Sequence, residues 1–286
     1  MVEYETHYAK ADAGRARELA ATTSPYTIAV QFLGGLNETQ KAAFAKAADR
    51  WAKVIVGDLP DVSVDGEVVD DLLVLAQGTS IDGPGNILGE AGPTVLRPAN
   101  GPGAFLPAKG VMSFDTDDLE QMQTKGTLVD VITHEMGHVC GIGTRPWTEK
   151  GVLHGAGTDN PVFRGQRAME EYGKLVGAGQ PRPVPVENQG GAGTRDGHWR
   201  ETVFANELMT GFVASPPNPL SRLTVASLGD IGYVVDIEAA DAYMLPNHLE
   251  MAERGELRTH AAPVGAGTVQ RTIPVVLPED SLLAAA

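Results

Sequence analysis

The stretch VDVITHEMGHVCGIGTRPW, residues 129–147, decides how the rest of the chain is read. It holds His134, Glu135 and His138 in the pattern His-Glu-x-x-His, with Gly141 three residues further on. On a helix, residues four apart stand one turn above each other on the same face, so both imidazoles can reach one cation. Glu135 projects toward the same cleft but to one side, where a carboxylate can hold a water without ligating. The preceding run LVDVI is largely apolar, as a helix through a protein's centre requires. Two histidines buried there would be costly without a shared partner.

Zinc suits such a pair. It brings the pKa of a bound water toward ~7, within reach of a carboxylate base, and polarises the carbonyl under attack. A catalytic zinc needs a third protein ligand, and several positions compete for it. The compact pattern His-Glu-x-x-His-x-x-Gly-x-x-His would place it at residue 144, which is Thr144. Glu170 or Glu171, in a helix expected over 161–177, would suit a thermolysin-like scheme. His154 is close in sequence, and His198 lies far downstream in GTRDGHWRE. Gly141 permits a sharp left-handed exit that sends the chain below the metal; the thermolysin-like scheme does not need that turn.

Composition bounds the alternatives. The 286 residues suffice for one large domain or two closely packed lobes, and the 34 glycines and 19 prolines describe a loop-rich globule. A net charge of −15 argues against nucleic acid or an anionic membrane as partner. No apolar run approaches the ~20 residues of a spanning helix. The first twenty residues lack the apolar core of a signal peptide, so either the protein stays inside the cell or a leader has been removed. Cys140 is the single cysteine, which excludes intramolecular disulfides and all-cysteine zinc sites. Two residues past His138 on the helix, it should point away from the metal as a buried small hydrophobe.

Along the chain, residues 1–24 read as a polar, Ala-rich lead-in with a frayed helix. YTIAVQFLG (26–34) has the enrichment of a strand, and NETQKAAFAKAADRWAKVIV follows as a helix capped by Asn37. DDLLVLAQG (70–78) reads as a buried strand. Residues 79–108 read as loop with one strand near PTVLRP, and GVMSFDTDDLE (110–120) as a short strand leaving into an acidic loop. Asp115, Asp117 and Asp118 of that loop could hold calcium, though no full loop-ligand spacing supports it. Helices are expected over 127–139, 161–177 and 220–233, and TIPVVL near the C-terminus as a strand that packs back. His7, His248 and His260 lie in terminal segments and read as solvated.

Three segments together carry a resemblance. THEMGHVCGIGT (133–144), VPVENQGGAGTRDGHWRETVFANELMTG (184–211) and NPLSRLTVASLGDIGY (218–233) resemble the leishmanolysin-like metallopeptidases, a branch of the metzincins. The likeness runs from about residue 110 to 235 and is densest in its later half. It implies a zinc-dependent endopeptidase with one catalytic Zn2+ held by His134, His138 and His198, with Glu135 as general base. Met209, in ELMTG, would form the Met-turn beneath the metal. Asp196 or Glu201 could steady a ligand ring, and Trp199 and Arg200 either wall the cleft or anchor a loop.

The implied fold is α+β: an N-terminal lobe of twisted mixed sheet with two long helices, then an irregular C-terminal lobe. The expected boundaries are an extension at 1–25, the N-terminal lobe at 26–141, the C-terminal lobe at 142–236 and a tail at 237–286. A peptide or protein substrate would lie extended in the cleft, paired with the strand GVMSFD. The resemblance points to secretion. The chain departs from the disulfide-rich members, shows no cysteine-bearing inhibitory pro-segment and carries only a short tail, as a compact bacterial-type relative would. A non-catalytic protein that keeps the fold as a zinc-binding scaffold is the alternative from another class.

Overall fold

Ile28, Val30 and Phe32 alternate inward along β2 (Thr27–Gly34), while Ala29, Gln31 and Leu33 stay half-buried. That period of two places β2 inside a sheet with one face on the core. The computed structural model describes residues 3–85, 87–191, 193–213, 216–247 and 268–283. Around β2 stand β1 (Glu5–Lys10), the hairpin β3 (Val62–Val64) with β4 (Glu67–Val69), β5 (Leu72–Thr79), β6 (Ile87–Leu96) and β7 (Pro107–Asp115). Short strands β8 (Leu153–His154), β9 (Val162–Phe163) and β10 (Val184–Pro185) form a separate small sheet, and β11 (Thr268–Arg271) and β12 (Val275–Val276) return from the C-terminal end.

The main sheet runs β1-β2-β5-β7-β6-β11, with β12 also on β6. It is mixed: β2, β5 and β7 are parallel, β1 runs antiparallel to β2 and β6 to β7, and β11 and β12 lie parallel to β6. The helices are α1 (Ala13–Ala20), α2 (Glu38–Val54), α3 (Thr116–Lys125), α4 (Leu128–Val139), α5 (Arg145–Glu149), α6 (Gln166–Leu175), α7 (Glu201–Phe204) and α8 (Arg222–Ile231). The mixed α and β composition expected from the sequence is thus observed.

α2 starts where Asn37 accepts from the Gln40 backbone N–H and the Gln40 side chain accepts in return, a reciprocal cap that satisfies two orphan donors. Its apolar face, Phe44, Ala47, Ala48 and Trp51, is wholly buried. The Trp51 indole donates to the Thr133 carbonyl at 2.8 Å, which fixes α2 against the middle of α4. One apolar cluster extends from Ile28 and Trp51 through Met136 and Trp199 to Leu228.

Five sequence expectations are corrected. Residues 5–10 form an edge strand paired with β2, and α1 is capped by Asp12, so the lead-in is structured. The acidic segment after β7 is the first turn of α3, where negative charge faces the helix's positive end. The Asp115 carboxylate accepts from the N–H groups of Ile81, Gly83, Asp117 and Asp118, so backbone donors occupy it in place of calcium. GVMSFD lies in β7, paired on both sides by β5 and β6, so it cannot offer a free edge to a substrate. His7 is half-buried beside Asp49, its Nε2 2.9 Å from that carboxylate, rather than solvated; His248 and His260 lie outside the described residues.

Candidate metal centre

α4 crosses the core with Ile132, Met136 and Val139 fully buried. Its other face carries His134, Glu135 and His138 into a cavity of about 300 Å³. Gly137, between the histidines, is a packing requirement: a Cβ there would stand 2.7 Å from the Met209 sulfur and 2.8 Å from the Trp51 ring. The helix stops at Gly141, whose φ of +105° is open to glycine at little cost. The turn that follows brings the Ile142 carbonyl 2.8 Å from His138 Nδ1.

His198 reaches the same point from sixty residues away, on a segment held by backbone bonds on both sides. The His198 carbonyl accepts from Glu187 N–H at 2.8 Å, and Trp199 N–H donates to the Met209 carbonyl at 2.9 Å. Trp199 is an anchor and not a cleft wall. It is fully buried among Trp147, Phe163 and Phe204, and its indole donates to Thr224 at 2.7 Å. Arg200 ties the carbonyls of Pro161 and Val186, so it too anchors loop.

The three Nε2 atoms form a triangle with sides of 3.1, 3.1 and 3.0 Å. Each Nδ1 faces a backbone carbonyl: Leu208 at 2.6 Å from His134, Ile142 at 2.8 Å from His138 and Thr194 at 2.8 Å from His198. A carbonyl only accepts, so each Nδ1 carries the proton and each Nε2 presents a lone pair. Three lone pairs converging at this distance repel unless a cation stands between them. The spacing is near the ~3.3 Å that ligand nitrogens subtend at ~2.0–2.1 Å from a tetrahedral centre, so the donor set fits zinc. Burial holds the imidazoles neutral: His134 is lowered to about 4, and His138 and His198 fall well below the usual histidine range. Burial pushes the Glu135 carboxyl up to about 8, with the Arg271 charge pulling the other way.

The other sequence candidates lie elsewhere. On α6, Glu170 accepts from Gln166, and Glu171 pairs with Lys174 and with Arg222 of α8. His154 is exposed on β8. Asp196 accepts from Gly157 N–H, and the Glu201 N–H donates to the Glu187 carboxylate; the Nδ1 partners of the histidine rings are backbone carbonyls. Cys140 is buried, its thiol raised by burial.

Two groups escaped the sequence reading. Glu207 is a buried carboxylate that accepts from Met209 N–H at 2.6 Å and from the hydroxyls of Ser221 and Thr224, shaping the turn under α4. Its position in ELMTG, two residues before the methionine, was the available signal. Arg271 enters the cavity from β11, with no local signal at all.

A family model described as Leishmanolysin matches residues 104–251, just over half of the chain. Over 146 residues the chain is 28% identical to leishmanolysin of Leishmania donovani, a match covering 47% of this chain and 24% of that protein. A leishmanolysin homolog of Crithidia fasciculata is 27% identical over 133 residues, 44% of this chain and 20% of the relative. A leishmanolysin-like peptidase of Caenorhabditis elegans is 40% identical over 68 residues, 23% of this chain and 10% of the relative. These matches span about a quarter or less of the curated relatives' length. The chain belongs to the leishmanolysin family, a family of zinc metallopeptidases. Among its described residues no helix is long and apolar enough to cross a membrane.

Proposed function

We propose that this chain is a zinc-dependent endopeptidase, with His134, His138 and His198 as the metal ligands and Glu135 as general base. The observation that carries the reading is the convergence of three Nε2 lone pairs while every Nδ1 is committed to a carbonyl. A zinc ion held there would supply Lewis-acid polarisation of the scissile carbonyl and acidify a water toward ~7. The chain's own residues do the rest. Glu135 takes a proton from the attacking water and passes it to the leaving amine nitrogen, so the peptide C–N bond breaks as the new C–O bond forms and no proton is left over. The carbonyl partners fix each ring's orientation and tautomer. Met209, fully buried and packed against Gly137, forms the floor under the ligands, as a Met-turn would.

In this reading two ligands precede residue 141 and one follows it, which would put the boundary between the two lobes there. The substrate would be an extended peptide lying in the cavity that Leu88, Ala91, Thr194, Phe212 and Val269 line beside the histidines. Because β7 and β11 close both sides of β6, main-chain pairing passes to the outer edge of β11.

Glu135→Ala should keep the metal and lose ~100- to 10,000-fold in peptide hydrolysis. His198→Ala should lose zinc, as read by metal analysis after dialysis. A His198→Ala protein that binds zinc like the parent, with Glu171→Ala deficient, would transfer the site to a thermolysin-like ligand set. Full zinc loading without hydrolysis of any peptide tried would leave a binding scaffold.

A further inference from the structure

The His198 loop and the exit turn of α4 meet at two glycines: a Cβ on Gly143 would stand 1.8 Å from the Gly197 carbonyl oxygen. A third segment closes over this contact. β11 pairs in register with β6, Arg271 opposite Ala91, and its neighbour Thr272 donates to the Pro93 carbonyl. The half-buried Arg271 side chain then reaches back over Gly197. Its Nε donates to the Gly193 carbonyl at 3.0 Å and its Nη1 to the Gly143 carbonyl at 2.7 Å, while Nη2 lies 3.2 Å from His198 Nδ1. That nitrogen already gives its proton to Thr194, so the last approach is a packing contact along the ring rather than a hydrogen bond. The rigid fork of a guanidinium spans two carbonyls at fixed angles, which a lysine cannot do.

We propose that Arg271 is a positioning residue of the metal centre: by tying Gly193 to Gly143 across Gly197, it locks the His198 loop against the exit turn of α4. The C-terminal strand is then a working part of the site. This rests on the zinc reading given above. The positive charge of Arg271 opposes a divalent cation, but its guanidinium is engaged by the carbonyl dipoles of Gly193 and Gly143.

The test uses the full chain, with Zn2+ measured by chelator competition and Co2+ by its visible spectrum. Arg271→Ala should weaken both metals by ~10- to 100-fold, the usual loss when a group supporting a ligand is removed, and should alter the Co2+ bands. Arg271→Lys should recover part of the affinity. Gly197→Ala attacks the same contact from the other side, since its Cβ would stand 1.9 Å from Nη2, while strand and arginine both remain. It should reproduce the Arg271→Ala spectrum, and the double variant should be no worse than the worse single one. If Arg271→Ala does not fold, Gly197→Ala decides alone.

Parental affinity and spectrum in these variants, with or without a raised KM, would overturn the proposal and leave a strand anchor or a substrate contact. Tighter metal binding would overturn it in favour of charge repulsion, and additive losses would show that the two residues act separately. A parent protein that binds neither metal would remove the zinc reading, and this proposal with it.

Discussion

Two kinds of chain make one site here. His134 and His138 are placed by a helix, so their relation follows from four residues of spacing and survives any change that leaves α4 intact. His198 sits on a loop of no regular structure, and its place is fixed by bonds from its ring to Thr194, from its carbonyl to Glu187 and from the next residue, Trp199, to Met209, all within about a dozen residues of chain. The difference teaches where the site is vulnerable. The helical half is stabilised locally and by the core, whereas the loop half depends on a few polar contacts and on close backbone approach.

Gly143→Ala should break the comparison most severely. The position has φ +64° and no room for a Cβ beside the Gly197 carbonyl, and that obstacle is backbone, which cannot swing aside. Zinc affinity should fall by more than ~100-fold, beyond the range for a supporting residue, while α4 and the sheet persist. Chelator competition alongside far-UV circular dichroism checks both halves; unchanged affinity would mean the loop is not held by this contact.

Glu207→Ala should come next. It strands the Met209 N–H and the Ser221 and Thr224 hydroxyls in the core, at about 1–3 kcal/mol for each buried group left unpaired. We expect a loss of about 3 kcal/mol in urea unfolding, with the Trp199 environment disturbed in near-UV spectra because Thr224 also holds that indole. A loss under about 0.5 kcal/mol, the scale of an ordinary surface change, would show the turn to be held by packing alone.

The smallest effect lies far from the site and serves as its control. Arg15 bonds both oxygens of Asp236 and holds that carboxyl below the usual range. A depressed folded pKa contributes stability that is present above the unfolded value of ~3.9 and is lost as pH falls through the folded one. Asp236→Asn should therefore flatten the pH dependence of the urea midpoint below about pH 4 and leave metal affinity untouched. A change in zinc binding in this variant would mean the two regions are coupled.

The same contrast explains what the sequence revealed. α4, β2 and α2 were legible because their signals are local: apolar periodicity, alternation, and an asparagine cap with its glutamine three residues on. α3 was readable too, since an aspartate followed by two more is how a helix often starts, but the charges were read as loop. β1 was hidden by a short polar stretch whose pairing is set by β2. At the site, the pattern at 134–138 was visible at once, whereas assigning His198 needed the family resemblance. The groups that orient the imidazoles are backbone carbonyls, which carry no residue identity. Arg271 lies seventy-three residues beyond the ring it touches, and nothing local marks it.

The central claim is that three imidazole nitrogens, two from α4 and one from the distant loop, share a single ion. Anomalous diffraction at the zinc edge from crystals of the zinc-loaded chain tests it most directly. The account predicts one strong peak bonded to Nε2 of His134, His138 and His198 at ~2.0–2.1 Å, beside Glu135. A peak held by only the two helical histidines and a carboxylate, or one placed away from His198, would contradict it.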